Sequence, residues 1–310
     1  MGWCHANQRT QAESVPRRLS SCRRLCQKWQ PDVAANKHER GDDMSDEFLL
    51  YERSGDVVTL TLNDPERRNA LTDRSQFEAV LAGIARIEDD ATVRCVVLTG
   101  AGRAFCAGGN VKDMHERAQS FAVRPFELRQ WYRQGIQTIP LALWRLEVPV
   151  IAAVNGPAIG AGFDLTLCCD IRIAAERARF AESYAKLGII PGFGGTWLLP
   201  RVVGMSKAAE MSFTGDVVDA AEALACGLVS QVVADDELLP AAQALAGRIA
   251  GNPPHALRMI KKLLREGVAN KLDTQLEMSA AFQAVAHHTL DHREALAAVF
   301  EKRDPSFKGE

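Results

Sequence analysis

The chain has 310 residues, 47% of them hydrophobic and 25% charged, with a formal net charge of -2. That length holds one large domain or two small ones. The near-neutral charge argues against general affinity for nucleic acid or an anionic membrane surface, and no apolar stretch is long enough to span a bilayer.

Residues 1–43 differ from the rest: they carry three of the eight cysteines and Arg17, Arg18, Arg23 and Arg24, with no amphipathic period. Met44 then opens an ordinary domain start, Ser45-Asp46-Glu47-Phe48. The extension reads as a disordered tail or a start codon set too far upstream, and the chain as cytoplasmic. Read instead as an organellar targeting peptide, it would send the chain to the mitochondrial matrix. The cysteines show no framework spacing, and Cys95, Cys168 and Cys169 lie in apolar runs as core thiols, which fits a reducing compartment.

Leu49 to Asn63 reads as two short strands around a Ser54-Gly55 turn. Asp64 to Ala70 is a loop, and a helix follows from about Asp73, burying Phe77, Val80, Leu81, Ile84 and Ile87. The strand Cys95–Thr99 leads to a first glycine-rich turn, Phe105-Cys106-Ala107-Gly108-Gly109-Asn110, and Met114 to Leu146 is mainly helical. The continuously apolar strand Val150–Val154 leads to a second turn, Asn155 to Asp164, and a short helix through Leu165, Leu167 and Cys168. Asp170 to Ala174 returns as a strand, and this alternation implies parallel crossovers and an α/β class. After Gly195 the pattern is helical apart from a strand at Leu228–Val233; Asn252-Pro253-Pro254 breaks the chain, and His255 to Arg303 is almost all helix. A core of 44–250 and a C-terminal helical module of 251–310 are expected.

Small residues at strand-to-helix turns leave backbone N–H groups uncovered, and a helix N-terminus adds a favourable dipole. Two such turns facing one another could place two donors on one carbonyl oxygen. A dinucleotide loop fits poorly, because Phe105 stands where a third glycine after Gly100-Ala101-Gly102 is needed. No lysine follows a glycine loop in the phosphate-binding pattern. His288 and His292 have metal-like spacing but no third ligand, and Cys106 lacks an apparent activating histidine, so it reads as a buried thiol.

Several further motifs stand in order along the chain: Pro65-Glu66-Arg67-Arg68-Asn69-Ala70-Leu71, Ala104 to Met114, Asn155 to Asp170, Gly188-Ile189-Ile190-Pro191 with Gly194-Gly195-Thr196, and Glu301 to Phe307. By these motifs the chain resembles the crotonase superfamily, the enoyl-CoA hydratase/isomerase group. The resemblance implies a crotonase-like ββα spiral core, an acyl-CoA thioester substrate with no separate cofactor or metal, and a homotrimer or homohexamer joined through the C-terminal helices.

By the same resemblance, the N–H groups of Gly109 and Ala161 form an oxyanion hole for a thioester enolate. Alanine keeps that role if its φ is negative. Of the family's two glutamates, the first matches Asp164, a carboxylate reaching about 1.5 Å less far. The second matches Tyr184, a poor base at neutral pH that can donate a hydrogen bond or simply wall the pocket. Glu182 lies two residues earlier, on the same strand face as Tyr184 if the segment is extended, where a register shift could bring it near the site; it reads rather as a surface or interface carboxylate. Substrate contacts are expected from Arg68, Ala70, Ala107, Gly108, Asn110, Val111, Ile159 and Gly160. Trp131, Tyr132, Met114 and Phe163 are candidates for the acyl pocket or the core. Lys261 and Lys262 read as a solvated helix face, or alternatively as contacts to CoA phosphates of a neighbouring subunit.

The expected activity is 2-enoyl-CoA hydration. The loss of the second glutamate keeps 3-enoyl to 2-enoyl-CoA isomerisation by Asp164 open, and a catalytically silent acyl-CoA-binding protein is the alternative of a different class. Gly195-Thr196-Trp197-Leu198-Leu199-Pro200-Arg201 also resembles the ring-epoxide isomerases of phenylacetyl-CoA degradation. Those carry an acid immediately after the proline matching Pro191, where this chain has Gly192.

Overall fold

The computed structural model describes residues 47–116 and 119–310. The extension at 1–43, with Cys22 and Cys26, lies outside the described residues.

Strands β1 (Leu49–Ser54) and β2 (Val57–Leu62) pair as an antiparallel hairpin, turned by Gly55 at φ +58°. Helix α1 (Arg74–Asp89) follows Asp73, whose N–H donates to Gln76 Oε1 at 2.9 Å, and it buries Phe77, Val80, Ile84 and Ile87 of the expected stripe, Leu81 staying half-buried. Strand β3 (Cys95–Gly100) runs parallel to β2 and is buried along its whole length. The long stretch expected to be mainly helical divides into α2 (Val111–His115), α3 (Pro125–Gln134) and α4 (Thr138–Arg145). Pro125 opens α3 in its first turn, where no N–H is needed, and Gly135 ends it outside helical geometry.

The main sheet continues with β4 (Val150–Val154). A short β5 (Pro157–Ile159) then leads into α5 (Ala161–Cys168), followed by β6 (Ile171–Ala175) and β7 (Arg179–Ala181). Beyond them come α6 (Gly195–Val203), α7 (Met205–Thr214), β8 (Val218–Asp219), α8 (Ala220–Ala225), β9 (Gln231–Val233) and α9 (Leu238–Ala250). The six-stranded sheet has the order β1-β2-β3-β4-β6-β9, parallel except for the β1 edge. Both faces are covered, which is why its central strands read as unbroken apolar runs. Val58, Leu60, Val96, Leu98, Ala152 and Val154 join the large core. Val57, Cys95, Val97, Ile151 and Ala153 point the other way, onto Ala242 and Ala246 of α9.

A second sheet of order β5-β7-β8 is absent from the sequence reading. Its strands have two or three residues, too short for a two-residue period to show, and one starts at a proline. The strand expected at Leu228–Val233 is limited to its last three residues, β9.

The C-terminal segment forms α10 (Pro254–Glu266), α11 (Leu272–Ala286) and α12 (Leu290–Glu301). Lys261 does not lie on a solvated face. It is 4% exposed, donates to the Val148 carbonyl at 2.6 Å and pairs with Asp170 at 2.7 Å, so its charge is committed within the chain. Arg265 pairs with the same carboxylate at 2.7 Å and donates to the carbonyls of Leu143 and Trp144 at the end of α4. Lys262 pairs with Glu266 one turn along α10. No helix among the described residues is long and apolar enough to cross a membrane.

Candidate active site

Two buried asparagines brace the segment leading into the first glycine turn, and Asn155 ties it to the start of the second. Asn69 sits at φ +57°; its side-chain oxygen accepts from Asp64 N at 2.8 Å, and its amide donates to the carbonyls of Ala101 and Ala104, both at 2.9 Å. Asn155, at the end of β4, accepts from Gly100 N at 3.3 Å and donates to Gly100 O at 2.8 Å and Gly102 O at 3.1 Å. The turns then meet backbone to backbone. Cys106 N donates to Pro157 O at 3.2 Å, and Ile159 N to Cys106 O at 3.0 Å. Glycine is required at the crossing, because a β-carbon at Gly156 would sit 2.0 Å from Arg103 O and one at Gly162 2.0 Å from Cys106 O. The motif asparagines and glycines thus have a structural task that the sequence reading did not assign.

This clamp leaves two main-chain donors uncommitted. Among the described residues, neither Gly109 N–H nor Ala161 N–H donates a hydrogen bond, and both residues line one cavity. Ala161 is not among the residues with positive φ, so the condition for alanine at this place is met. The loops bring the donors close: a β-carbon on Gly108, the neighbour of Gly109, would lie 3.1 Å from Ala161 N. Gly108 itself stands behind the cavity wall, with its carbonyl accepting from Leu71 N at 2.9 Å.

The cavity encloses about 100 Å³. Of the expected contacts, Ala107, Asn110, Val111, Ile159 and Gly160 line it, as do Met114, Trp131 and Tyr132. Phe163 does not: it is fully buried and packs edge-on against Phe180. Ala70 is buried outside the lining, and Arg68 is exposed with left-handed backbone (φ +55°), its carbonyl accepting from Ala107 N at 2.9 Å. Cys106 is fully buried, and desolvation pushes its thiol up to about 12. His292 faces His287 at 3.0 Å, while His288 accompanies the Ala284 carbonyl.

Asp164 lies in the first turn of α5 with no exposed surface and does not itself line the cavity. Tyr184 does line it, and its hydroxyl donates to Asp164 Oδ2 at 2.9 Å. The phenol therefore stands between the carboxylate and the cavity.

Glu182, just after β7, is not a surface carboxylate. It is fully buried beside Asp164, because Phe180 and Ala181 carry the chain through the core and the strand ends there. Among the described residues, neither Glu182 oxygen has a hydrogen-bond partner of ordinary geometry, nor does Asp164 Oδ1. The start of α6 shows how close the two carboxyls are. A β-carbon on Gly195 would meet Glu182 Oε1 at 2.2 Å and Asp164 Oδ1 at 2.3 Å, so those oxygens are at most about 4.5 Å apart. Burial raises the pKa of Asp164, with Glu182, Tyr184 and the Gly195 backbone opposing the rise. Burial and the neighbouring Asp164 raise Glu182 further. Burial and the Asp164 charge push the Tyr184 phenol far up, so it stays protonated at any physiological pH. The arrangement can accept and return a proton at the cavity while two N–H groups hold an oxygen there.

The family model described as enoyl-CoA hydratase/isomerase matches residues 52–310. The chain is 41% identical over 264 residues to the 1,2-epoxyphenylacetyl-CoA isomerase of Escherichia coli, covering 85% of this chain and 99% of that protein. It is 36% identical over 265 residues to the crotonyl-CoA hydratase of Syntrophomonas wolfei, with coverage of 85% and 99%. A solved enoyl-CoA hydratase from Bacillus anthracis superposes with a TM-score of 0.79 at 37% identity, covering 85% of this chain and all of that one.

Proposed function

Because the chain belongs to the enoyl-CoA hydratase/isomerase family, we propose that it acts on acyl-CoA thioesters and hydrates 2-enoyl-CoA. The observation that carries this reading is the pair of uncommitted N–H groups, from Gly109 and Ala161, at a cavity bordered by a phenol bonded to a buried carboxylate.

The thioester oxygen lies on the two N–H groups. When water adds to the β-carbon, charge moves onto that oxygen as an enolate, and fixed main-chain dipoles receive it without reorganising. Each such donor is worth about 3 kcal/mol of barrier. Asp164 is the base: water gives its proton to the Tyr184 oxygen as the phenol proton moves to Asp164 Oδ2. A proton then returns to the α-carbon of the enolate. The apolar lining by Met114, Trp131 and Tyr132 excludes bulk water, which strengthens both effects.

A second reading is favoured by one observation. Tyr184, not a carboxylate, borders the cavity, so a single base moving one proton between carbons, as in 3-enoyl to 2-enoyl-CoA isomerisation, also fits. Ring-epoxide isomerisation is not proposed, since Gly192 stands where that reaction's acid is expected. Purified protein is assayed with crotonyl-CoA and with a 3-enoyl-CoA. Hydration of the first supports the main reading, turnover of the second alone supports the other, and tight binding without turnover of either marks a silent acyl-CoA binder.

Exposed apolar side chains on α11 and α12, Val285, Leu296, Val299 and Phe300, support assembly through the C-terminal helices as a trimer or a pair of trimers. The core thiols support a cytoplasmic setting.

A further inference from the structure

We propose that Glu182 is the proton-holding partner of Asp164: the two carboxyls share one proton across their facing oxygens, and Glu182, which touches no part of the cavity, sets the charge available on Asp164. The proposal stands on packing. Both side chains have no exposed surface, and among the described residues Asp164 Oδ1 and both Glu182 oxygens lack partners of ordinary geometry. The α-carbon of Gly195 carries no side chain exactly where the carboxyls converge. Two carboxylates this close cannot both ionise in a dry site. One shared proton turns two orphaned acceptors into a donor and an acceptor.

Among the described residues, the groups around the pair include no cation to balance it. From the segment after β7 come Glu182 and the Tyr184 phenol. From α5 come Asp164 and, further along, the Cys168 thiol, raised by burial first and then by Cys169 and the Asp164 charge. From α3, Tyr132 faces Tyr184, and α6 contributes its Gly195 N–H. No lysine, arginine or histidine pairs with either carboxyl among the described residues. Both carboxyls are held above their ordinary values by burial, and Glu182 further by the Asp164 charge.

Resting on the hydration reading, the pair supplies what the second glutamate of the family would supply. It starts with one proton. As the oxygen of water bonds to the β-carbon, the water proton passes to Tyr184, the phenol proton passes to Asp164, and the pair then holds two. Return of one along the same path forms the α-carbon–hydrogen bond and leaves the pair as it began. Glu182 is thus a positioning residue acting through Asp164.

Infrared difference spectra of the ligand-free protein at neutral pH, wild type minus Glu182→Gln, test this without any substrate. The expected result is a protonated-carboxyl band that shifts in deuterium oxide and is kept in Asp164→Asn. Its absence from the wild type, or its persistence in Glu182→Gln, overturns the proposal. If the band is present and neither enoyl-CoA turns over, the reaction reading fails and the shared proton stands. Where turnover is measurable, kcat/KM of the wild type falls at alkaline pH as the resting pair loses its one proton, and Glu182→Gln loses that fall. Glu182→Leu removes the donor to Asp164 and moves the acid limb up by about one pH unit, a roughly tenfold loss just below it. An unchanged profile in both variants overturns the proposal.

Discussion

Two aspartates bracket α5, and the chain treats them in opposite ways. Asp170, just past the helix, accepts from Val150 N at 2.8 Å and faces two cations from α10, Lys261 and Arg265, each at 2.7 Å. Asp164, in the helix's first turn, has no cation beside it among the described residues, but a phenol donor and a second carboxyl. At Asp170, itself only partly buried, two largely buried cations meet their counter-charge, and the group ties α10 to β4. At Asp164 the low-dielectric setting is left uncompensated, so the protonated and ionised forms come close in free energy. Burial with cations gives an anchor, whereas burial without them gives a group able to exchange a proton.

The largest effects should separate the two sites cleanly. Asp164→Asn removes the base and should lower turnover by about 10²–10⁴-fold. Its stability should not fall, since an incompletely satisfied buried charge is replaced by a neutral amide. Asp170→Asn should do the reverse. It leaves Lys261 and Arg265 without their counter-charge and should cost about 3–5 kcal/mol in urea unfolding, while kcat per folded molecule stays within a few-fold. Normal turnover by Asp164→Asn would remove it from the base's role, and a collapse of kcat in well-folded Asp170→Asn would erase the contrast.

Gly195→Ala strikes the uncompensated site through space alone. Its β-carbon would sit 2.2 Å and 2.3 Å from two carboxyl oxygens, so the pair must move. A displacement of about 1 Å in a catalytic group can cost about 10²-fold in rate, and the overpacking about 1–3 kcal/mol in stability. Gly247→Ala on α9 is the control: its β-carbon meets nothing within 4 Å and its φ is not positive, so stability should rise by about 0.4–1 kcal/mol with activity unchanged. Equal rates for Gly195→Ala and wild type would mean that the pair tolerates separation.

The elements that build the main sheet were legible because burial on both faces writes a strand as an apolar run, as in Val150–Val154, and α1 was legible because one buried stripe has a 3.6-residue period. The two glycine turns and Asp164 were legible as motifs. Glu182 was not. Alternation along an extended segment gives its face, but its neighbour across the site lies on α5, and nothing local says that the face points inward. Lys261 misled for a related reason: a lysine on an amphipathic helix looks solvated until Asp170, 91 positions earlier, is placed beneath it. The short β5-β7-β8 sheet was invisible because three residues carry no periodicity. What escaped the sequence is what depends on two distant segments meeting.

Tyr184→Phe sharpens the comparison more gently. It deletes the hydroxyl between Asp164 and the cavity and keeps the ring. The carboxylate loses its 2.9 Å donor, which had opposed the rise in its pKa, so the acid limb of kcat/KM should move to higher pH, and turnover should fall about tenfold or more. A purely structural wall would leave the limb where it is.

The smallest effects are slopes of stability against pH, and the two regions should slope in opposite directions. Glu182 is raised in the folded state, so over the window from its ordinary 4.5 upward the native protein holds a proton that the unfolded chain has released. Stability must fall as pH rises through that window, by at most about 1.4 kcal/mol per pH unit for one proton. Lys261 is lowered to about 8 from 10.5, chiefly by desolvation, with Asp170 opposing. Between those values the unfolded chain binds the extra proton, so this site's contribution rises with pH. Urea unfolding across the pH range should show Glu182→Gln lacking the first decline and Lys261→Met lacking the alkaline rise. Parallel curves for wild type and both variants would mean that neither group carries its shift, and the distinction between anchor and proton exchanger would then rest on kinetics alone.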